Sequence, residues 1–440
     1  TYSVQDVIRK IDVMNSFEYA EASIDAAQNG WIENGGDPNT PNTIEARGAA
    51  KYTWPAALET PENLANTDYQ DVVFRVAPMH KVNLSFTGGD DKSNYIVSDG
   101  YINQEGIVIN SDYEKYTLNL KANTKIGDWL DLGGMLNSRY DHENEPYNRI
   151  VEWAVQYPSI YPVYGNDGYL GDPNTVDGFE DYYAILFRAK NGHPLYRITD
   201  DIQHHKFTAI GNFFAKAQLY EGLSFRTSFN AFYNRADNTD YQAGDHQMGP
   251  SYQSTVRFIS NMGRTLNYTW ENILTYDKKI NAHTFNLMAG YEYNNRDYYR
   301  LQGQRRDYDN DDIHYLAAGK TIYDADDTAN QTVLISYLGR INYNYMGKYI
   351  FSASFRRDGS SRFGPNNKWR NFPSLSAAWR ISDESFMKAL GEVSNLKLRA
   401  SYGFTGNDNF SDYRWVSSMN QAKVAIGNNL FTSYCPPSVE

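Results

Sequence analysis

Residues 336–387 read SYLGRINYNYMGKYIFSASFRRDGSSRFGPNNKWRNFPSLSAAWRISDESFM. Ile335–Tyr345, which begins one residue before this stretch, and Tyr349–Arg356 alternate apolar and polar residues on either side of the short turn Met346-Gly347-Lys348. A period of two is typical of β-strands. A loop of Gly, Ser, Asn and Arg follows before alternation resumes at Phe372–Ile381. The stretch therefore predicts antiparallel strands with a short turn at one end and a long polar loop at the other.

The same pattern recurs along the chain, and the connections alternate in length. The expected short turns are 88–91, 127–128, 220–222, 277–283 and 346–348. The long connections are expected near 14–79, 141–203, 235–261, 296–331 and 357–371. The sequence predicts about 13 or 14 strands of roughly 10 residues, the length that a tilted strand needs to cross a membrane. Outer-membrane barrels combine short periplasmic turns with longer extracellular loops.

Composition supports strands over helices. Only 41% of the residues are hydrophobic, yet 15% are aromatic and 37 of the 440 are tyrosine. Aromatic residues favour strands. The sequence has no run of 18 or more apolar residues, which excludes a helical membrane span. A net charge of −12 argues against a nucleic-acid partner. The single cysteine, Cys435, excludes an intrachain disulfide and any multi-cysteine metal site.

The two faces of the predicted strands differ in polarity. In one strand Leu118 and Leu120 alternate with Asn119 and Lys121, and similar polar sets occur in the others. A wet lumen accepts such side chains, whereas the dry core of a β-sandwich does not. We therefore expect an all-β, antiparallel transmembrane β-barrel in which Leu118 faces lipid. The alternative is a large soluble sheet with one face in water.

The amino-terminal region is expected to be different. Tyr2–Val13 reads as one strand, and Asn15–Gln28 has the composition of a helix with Asn15 or Ser16 as its N-cap. Gly, Pro, Asn and Thr dominate the residues from Gly30 to Pro61. That composition predicts a long surface loop.

Longer strings of sequence carry a resemblance to a known family. They are Thr67-Asp68-Tyr69-Gln70-Asp71, Phe74-Arg75, Ala77-Pro78-Met79, Asn94-Tyr95, Gly100-Tyr101-Ile102-Asn103-Gln104-Glu105-Gly106, Asn110-Ser111-Asp112-Tyr113-Glu114-Lys115-Tyr116, residues 336–387, Asn395-Leu396-Lys397-Leu398-Arg399-Ala400-Ser401-Tyr402-Gly403 and Thr405-Gly406-Asn407. In this order and over most of the chain, they resemble the SusC/RagA family of TonB-dependent outer-membrane transporters of Bacteroidetes-type bacteria. Asp358-Gly359-Ser360-Ser361-Arg362-Phe363-Gly364, within residues 336–387, resembles a hallmark of that family.

The resemblance implies a barrel of about 22 strands in the plugged size class. Residues 1–440 would supply the first half or more of its wall, since no signal segment, plug, TonB-contacting segment or final strands are recognised in them. The implied function is TonB-dependent import of oligosaccharides or peptides across the outer membrane, without enzymatic chemistry. The implied partners are a SusD-like surface lipoprotein, outer-membrane lipid, the substrate and, through parts outside this chain, the TonB complex.

Two alternatives to that function stay open at this point. One is a siderophore- or cobalamin-type TonB-dependent receptor that has no lid protein. The other is a soluble β adhesin or lectin attached to the cell surface. The second belongs to a different class of protein, because it would need no lipid-facing wall.

Candidate site residues are few. Trp153, Tyr157, Tyr161 and Tyr164 lie in the longest connection, as do Tyr182 and Tyr183, and could stack on sugar rings or grip peptide side chains. The alternative, which we favour, is that these aromatic rings pack the loop against itself or against the lid protein. The sequence contains no phosphate-binding loop, nucleophile elbow or HExxH motif. We therefore expect no catalytic residue and no cofactor.

Two weak signals for a metal ion occur in the sequence. Asp307, Asp309 and Asp311 imitate the start of a calcium loop, but Asp312 and Ala318 stand where Gly and Glu are required. His204 and His205 are neighbours on a predicted strand and should point to opposite faces, so both cannot easily bind one ion. The sequence therefore predicts no metal site at either place.

Overall fold

The architecture is an antiparallel sheet with a helical insertion near its start. A computed structural model describes residues 1–166, 168–171, 179, 192–244, 256–310, 312–387, 393–416, 420–426 and 429–435. Thirteen strands form one sheet in which every strand pairs with its neighbour in the chain. The strands are β1 (Tyr2–Gln5), β2 (Ala77–Gly89), β3 (Ser93–Glu105), β4 (Asp112–Ile126), β5 (Leu130–Glu145), β6 (Asp201–Tyr220), β7 (Leu223–Gln242), β8 (Arg257–Ile280), β9 (His283–Arg306), β10 (Thr321–Tyr345), β11 (Tyr349–Ser360), β12 (Trp369–Arg380) and β13 (Lys397–Gly403).

The edges of this sheet are β1 and β13, so it does not close on itself within the described residues. A separate hairpin joins β14 (Asn420–Ile426) to β15 (Asn429–Cys435). The α-helices among the described residues are α1 (Ser16–Glu33), α2 (Ile44–Arg47), α3 (Tyr69–Val73) and α4 (Ile150–Gln156), and short 3-10 turns lie between α2 and α3 and in later connections. None of the described helices is both long and apolar enough to span a membrane.

Tight turns connect consecutive strands at one end of the sheet. Gly127, Gly222 and Gly347 have φ values of 58°, 77° and 73°, the left-handed region that glycine adopts without a steric penalty. Met346 beside Gly347 also has a positive φ, 56°. These positions confirm the predicted turns. The turn expected at 277–283 is narrower, because Ile280 already pairs with His283.

The sheet has an apolar face and a polar face. Large side chains stand exposed on the apolar face, including Phe213 and Leu398 with 71% and 61% of their surface accessible. On the polar face the side chains bond to one another across strands, as in Asn342 to Asn286 at 3.0 Å and Ser354 to Ser374 at 2.6 Å. An apolar surface this extensive indicates contact with something other than water.

Most strands are longer than the sequence predicts. β10 runs for 25 residues, and its first half, 321–331, was expected to be loop. That half is mostly polar, yet it pairs with β9 from Arg306 to Asp297. Hydrogen bonds between strands need no apolar side chains. A search for alternating apolar residues therefore finds only the part of a strand whose side chains form the apolar face. The connections 235–261 and 296–331 accordingly shrink to 243–256 and 307–320.

The amino-terminal predictions have mixed outcomes. The strand expected over Tyr2–Val13 ends at Gln5, which pairs with Ala77, the first residue of β2. Farther along, Ile11 bonds through its N–H and C=O to the side chain of Gln70. The helix with Asn15 as N-cap is confirmed. The side chain of Asn15 accepts from the N–H of Glu18, and Glu18 accepts from the N–H of Asn15, which completes a capping box. The helix continues to Glu33, into the region expected to be loop.

A carboxylate anchors the end of the β11–β12 pair. Glu384 accepts hydrogen bonds from the hydroxyl of Tyr349 at 2.6 Å, the ammonium of Lys348 at 3.0 Å and the indole N–H of Trp379 at 3.1 Å. These bonds lower the pKa of Glu384 to about 2, in the same order of importance. The ionised carboxylate thus fastens the connection after β12 to the 346–348 turn.

The first prediction concerns Gly222. A Cβ at this position would lie 2.1 Å from the backbone oxygen of Asp277, in addition to the strain of the positive φ. Gly347 has a similar φ, but a Cβ there would meet nothing within 4 Å, so it isolates the strain, which is roughly 1 kcal/mol. We expect Gly222→Ala to lower the urea midpoint of the detergent-solubilised protein clearly more than Gly347→Ala does. Equal losses would show that the close approach is unimportant.

The second prediction concerns pH. A carboxyl whose folded pKa lies below its ordinary value stabilises the fold above that ordinary value, and the contribution disappears as the pH falls toward the folded pKa. The stability difference between wild type and Glu384→Gln should therefore be largest at pH 7 and shrink between about pH 4.5 and pH 2. Urea unfolding followed by tryptophan fluorescence measures it. A difference independent of pH would contradict the assignment.

Candidate functional site

The long connections of the sheet lie at one end of the strands. They are 6–76, 106–111, 146–200, 243–256, 307–320 and 361–368. The opposite end holds the short turns together with one longer connection, 381–396. Because consecutive strands are antiparallel, alternate connections must fall at the same end. The surface available for recognition is therefore concentrated at the long-connection end.

Two of these connections fold into a common core, which we call the loop module and define as residues 14–76 with the described residues of 146–200. Helix α3 packs against α4 within it. The buried side chains come from both connections: Ala20, Leu58, Tyr69, Val73, Ile150, Ala154, Tyr157, Ile160, Tyr161, Leu170, Phe179 and Leu195. Val108 and Ile109, from the connection between β3 and β4, pack on the same core. The module is therefore a packed unit mounted on the sheet.

Backbone contacts fasten the loop module to its neighbours. The N–H of Thr67 donates to the carbonyl of Ser159 at 2.9 Å, and its hydroxyl donates to the carbonyl of Tyr161 at 2.9 Å. The side-chain amide of Asn110 donates to the carbonyls of Ile198 and Asp200 at 3.0 and 3.1 Å. Several strings that carry the family resemblance thus serve to hold loops in place.

A buried histidine lies at the centre of the module. The ring of His193 is fully buried and meets Tyr69 and Tyr157 edge-on, with ring centroids 5.0 and 4.9 Å apart. Its Nδ1 accepts from the N–H of Leu195 at 3.1 Å, and Nε2 has no hydrogen-bond partner among the described residues. Burial lowers the pKa of His193 to about 3. The imidazole is therefore neutral at physiological pH and serves packing.

A second buried titratable group joins the module to the next loop. Asp200 accepts from the N–H of Ala243 at 3.0 Å and pairs with Arg197 at 3.4 Å. Burial raises the pKa of Asp200 to about 6, and Arg197 opposes that shift. The carboxylate thus ties the loop module to the 243–256 connection.

The structure separates the four aromatic residues predicted to bind substrate. Trp153, Tyr157 and Tyr161 are inside the module with 5%, 6% and 0% of their surface accessible, whereas Tyr164 is 57% exposed. The first three rings pack the loop against itself, which was the alternative interpretation, and no substrate can reach them in this arrangement. Tyr182 and Tyr183 lie outside the described residues.

A sequence signal for that burial exists. Ile150, Trp153, Ala154 and Tyr157 stand at positions i, i+3, i+4 and i+7 of α4 and its end. This spacing puts them on one face of a helix, the pattern of a side that packs against a core. Helical periodicity in the long connection thus distinguishes the buried rings from Tyr164.

The family hallmark at Asp358–Gly364 also has a structural role. Arg362 pairs with the carboxylate of Asp412 at 2.9 Å and donates to the carbonyl of Asp408 at 2.8 Å. Ser360 donates to the carboxylate of Asp408 at 3.2 Å. These contacts hold the segment after β13 against the loop between β11 and β12.

The polar face carries charged groups that sequence reasoning missed. Glu271 and Glu292 are paired residues of β8 and β9, and Ser228 donates to Glu271 at 2.9 Å. Arg356 lies between Glu292, at 3.8 Å, and Asp358, at 2.7 Å. Strand register brings Glu271 and Glu292 to the Arg356–Asp358 pair of β11, although these parts of the chain are far apart in sequence. The polar face thus presents three carboxylates and one guanidinium close together.

The structure shows the surroundings of the aspartate triplet and of the histidine pair that the sequence offered as weak metal signals. No group of three or more His, Cys, Asp or Glu side chains suited to one metal ion occurs in the part of the chain that the structure describes. Of the calcium-like triplet, Asp309 contacts Lys320 and Asp311 lies outside the described residues. His204 approaches Glu145 at 3.4 Å, and His205, on the opposite face, contacts other residues.

Comparisons with known proteins place this geometry in context. No protein-family model matches the chain. The TonB-dependent receptor P3 of Formosa agariphila is 28% identical over 413 residues, which are 89% of this chain and 39% of that protein. The TonB-dependent receptor SusC of Bacteroides thetaiotaomicron is 28% identical over 389 residues, 84% of this chain and 38% of SusC. The chain thus spans about two fifths of the length of these relatives.

Solved structures share the fold. The RagAB peptide transporter superposes with a TM-score of 0.65 at 19% identity, covering 98% of this chain and 49% of the compared one. The RagAB peptide importer in its closed-closed state gives a TM-score of 0.67 at 18% identity with the same coverage. The predicted barrel-type antiparallel fold and the outer-membrane location are confirmed. Over most of its length the chain is therefore similar in sequence to proteins named as TonB-dependent receptors, SusC among them, and it shares its fold with the RagAB transporter.

Proposed function

We propose that the protein to which these residues belong imports oligosaccharides or peptides across the outer membrane, driven by TonB. The observation that carries the proposal is the combination of a two-faced sheet with a packed loop module at one end. The apolar face suits lipid and the polar face suits a wet passage, while the module offers a structured surface at its entrance. Relatives named as TonB-dependent receptors support the energy source.

In this proposal the barrel wall, the rest of the protein and a partner lipoprotein have different roles. Residues 1–440 form part of the barrel wall and its outer loops, and a plug domain and further strands come from the rest of the protein. A SusD-like lipoprotein covers the long-connection end, captures substrate and delivers it to the barrel. The RagAB complex, whose fold this chain shares, is named as a peptide transporter, which supports peptides as one of the two proposed substrate classes.

Substrate contact is assigned to exposed groups. Tyr164 is the predicted aromatic residue whose ring remains accessible, and it projects from the loop module. An aromatic ring with a polar tip can stack on a sugar or grip a peptide side chain. Trp153, Tyr157 and Tyr161 contribute by keeping the module rigid beneath it.

The third prediction tests transport and this residue together. A deletion strain should lose growth on one class within a panel of glycans and peptides, and the intact gene should restore it. Tyr164→Ala should restore growth at low substrate only partly, with an uptake affinity weakened several-fold, because a stacked ring contributes about 1 kcal/mol. Tyr220→Ala is the matched control, since Tyr220 is 70% exposed at the short-turn end.

Three results would count against parts of this proposal. Unchanged growth of the deletion strain on every substrate would contradict import of these classes. Normal uptake by Tyr164→Ala would remove that residue from the substrate path. Uptake that persists in a strain lacking TonB would contradict the energy source. The lid is tested by whether a neighbouring gene encodes a SusD-like lipoprotein that copurifies with the protein, which would separate this proposal from a siderophore-type receptor.

The fourth prediction tests which face meets lipid. Leu120→Arg puts a charge on the apolar face between Val97 and Leu136 of the neighbouring strands and should destabilise the inserted protein by about 2–4 kcal/mol near the membrane midplane. Asn119→Arg, the adjacent residue on the polar face, should have a mild effect. Urea unfolding in lipid vesicles measures both. Equal losses would contradict the assignment of the faces.

A further inference from the structure

A belt of aromatic side chains crosses the apolar face near the long-connection end. Cross-strand pairing puts Tyr101, Tyr116, Tyr140 and Phe207 in one row over β3 to β6. The rings of Tyr101 and Tyr116 lie 4.9 Å apart, and those of Tyr116 and Tyr140 lie 6.4 Å apart. Such belts mark the boundary between the hydrocarbon and the polar headgroups in membrane barrels.

The next row outward on the same face is polar. It is formed by paired residues of β3 to β7: Asn103, Glu114, His142, His205 and Asp237. On β3 to β6, each residue of this polar row is two positions along its strand from a residue of the aromatic belt, toward the long connections. This row therefore lies at the water-facing side of the boundary, and two histidines stand at its centre.

The two histidines approach each other closely. Their Nδ1 atoms are 3.2 Å apart, and their ring centroids are separated by 4.4 Å with a 30° angle between the planes. The hydroxyl oxygen of Tyr140 is 2.9 Å from the Nδ1 of His205. Both imidazoles are partly exposed. Two Nδ1 atoms and a phenol oxygen thus converge from β5 and β6.

The tautomer of His205 follows from its other nitrogen. Nε2 of His205 is 3.3 Å from the side-chain oxygen of Gln203, and an amide oxygen can only accept a hydrogen bond. The ring proton is therefore on Nε2, and Nδ1 presents its lone pair toward His142. Histidines that bind metals commonly donate their second ring N–H to an oxygen in this way, which fixes the tautomer and orients the ring.

We propose that His142 and His205 bind one divalent transition-metal ion of the Zn²⁺ or Cu²⁺ type through their Nδ1 atoms. Zn–N bonds of about 2.0–2.1 Å at a tetrahedral angle separate two ligand nitrogens by about 3.3 Å, which matches the spacing of this pair. Imidazole nitrogen suits zinc and copper, whereas calcium and magnesium require oxygen ligands. This site goes beyond transport and does not depend on it.

The remaining coordination positions belong to Tyr140 and water. Glu114 and Asp237 flank the pair, but Glu114 accepts from the hydroxyl of Tyr101 at 2.9 Å and Asp237 accepts from Arg235 at 2.8 Å. They add negative charge near the ion without coordinating it, in agreement with the absence of a three-residue cluster among the described residues. The site is therefore open, with its free positions at the level of the lipid headgroups.

The fifth prediction tests this site on the intact protein in detergent. Titration with ZnCl₂ at pH 7.5, followed by calorimetry, should detect a site whose affinity falls at least tenfold in His142→Gln and in His205→Gln. His204→Gln is the matched control, because His204 is adjacent in sequence but points to the opposite face. Binding should weaken at pH 5.5, where free imidazole takes up a proton.

A second measurement does not depend on the variants being folded. The electron paramagnetic resonance spectrum of the wild-type protein with one equivalent of Cu²⁺ should show coupling to two nitrogen nuclei. A spectrum without nitrogen coupling would overturn the proposal. Zinc binding by the folded double variant that equals wild type would also overturn it, and the pair would then be a hydrogen-bonded contact that shares a single proton.

Discussion

The antiparallel backbone ladder is the constraint on which the rest of the structure depends. Each strand from β2 to β12 pairs with both of its neighbours in the chain, so every internal strand has hydrogen-bond partners on its two sides. In lipid there is no water to satisfy a free N–H or C=O, and a paired sheet is one of the few solutions. Once the ladder is fixed, side chains are free to differ completely between the two faces.

As a result, apolar and polar side chains occupy opposite faces of the sheet. The apolar face carries Phe213 and Leu398 in the open, while the polar face carries Glu271, Glu292 and Arg356. Loops need no place in the ladder, so most of the larger ones extend from one end, where two of them fold into a module with its own core. The buried tyrosines and His193 fill the interior of that module.

How much the sequence could predict depends on the range of the interaction involved. Local signals worked: Gly127 and Gly222 marked turns, and Asn15 with Glu18 marked the start of a helix. The polar half of β10 was missed because ladder pairing needs no apolar residue. For Trp153 the sequence left substrate contact and packing of the loop open, although the helical periodicity of α4 favours packing. Contacts such as Glu271 with Glu292 depend on register between strands, which composition does not contain.

Strand register also determines which side chains from distant parts of the sequence meet on such a sheet. His142 and His205 are 63 residues apart in sequence and face each other because β5 and β6 align at that pair. A slip of one residue would move every side chain of a strand to the opposite face. The same slip would put Leu136 among polar neighbours and expose Asn137 to lipid. Such a slip would cost free energy at every position of the strand, because apolar and polar side chains would change faces, and this cost keeps the strands in register. The apolar band therefore also keeps His142 opposite His205, although both lie beyond its edge.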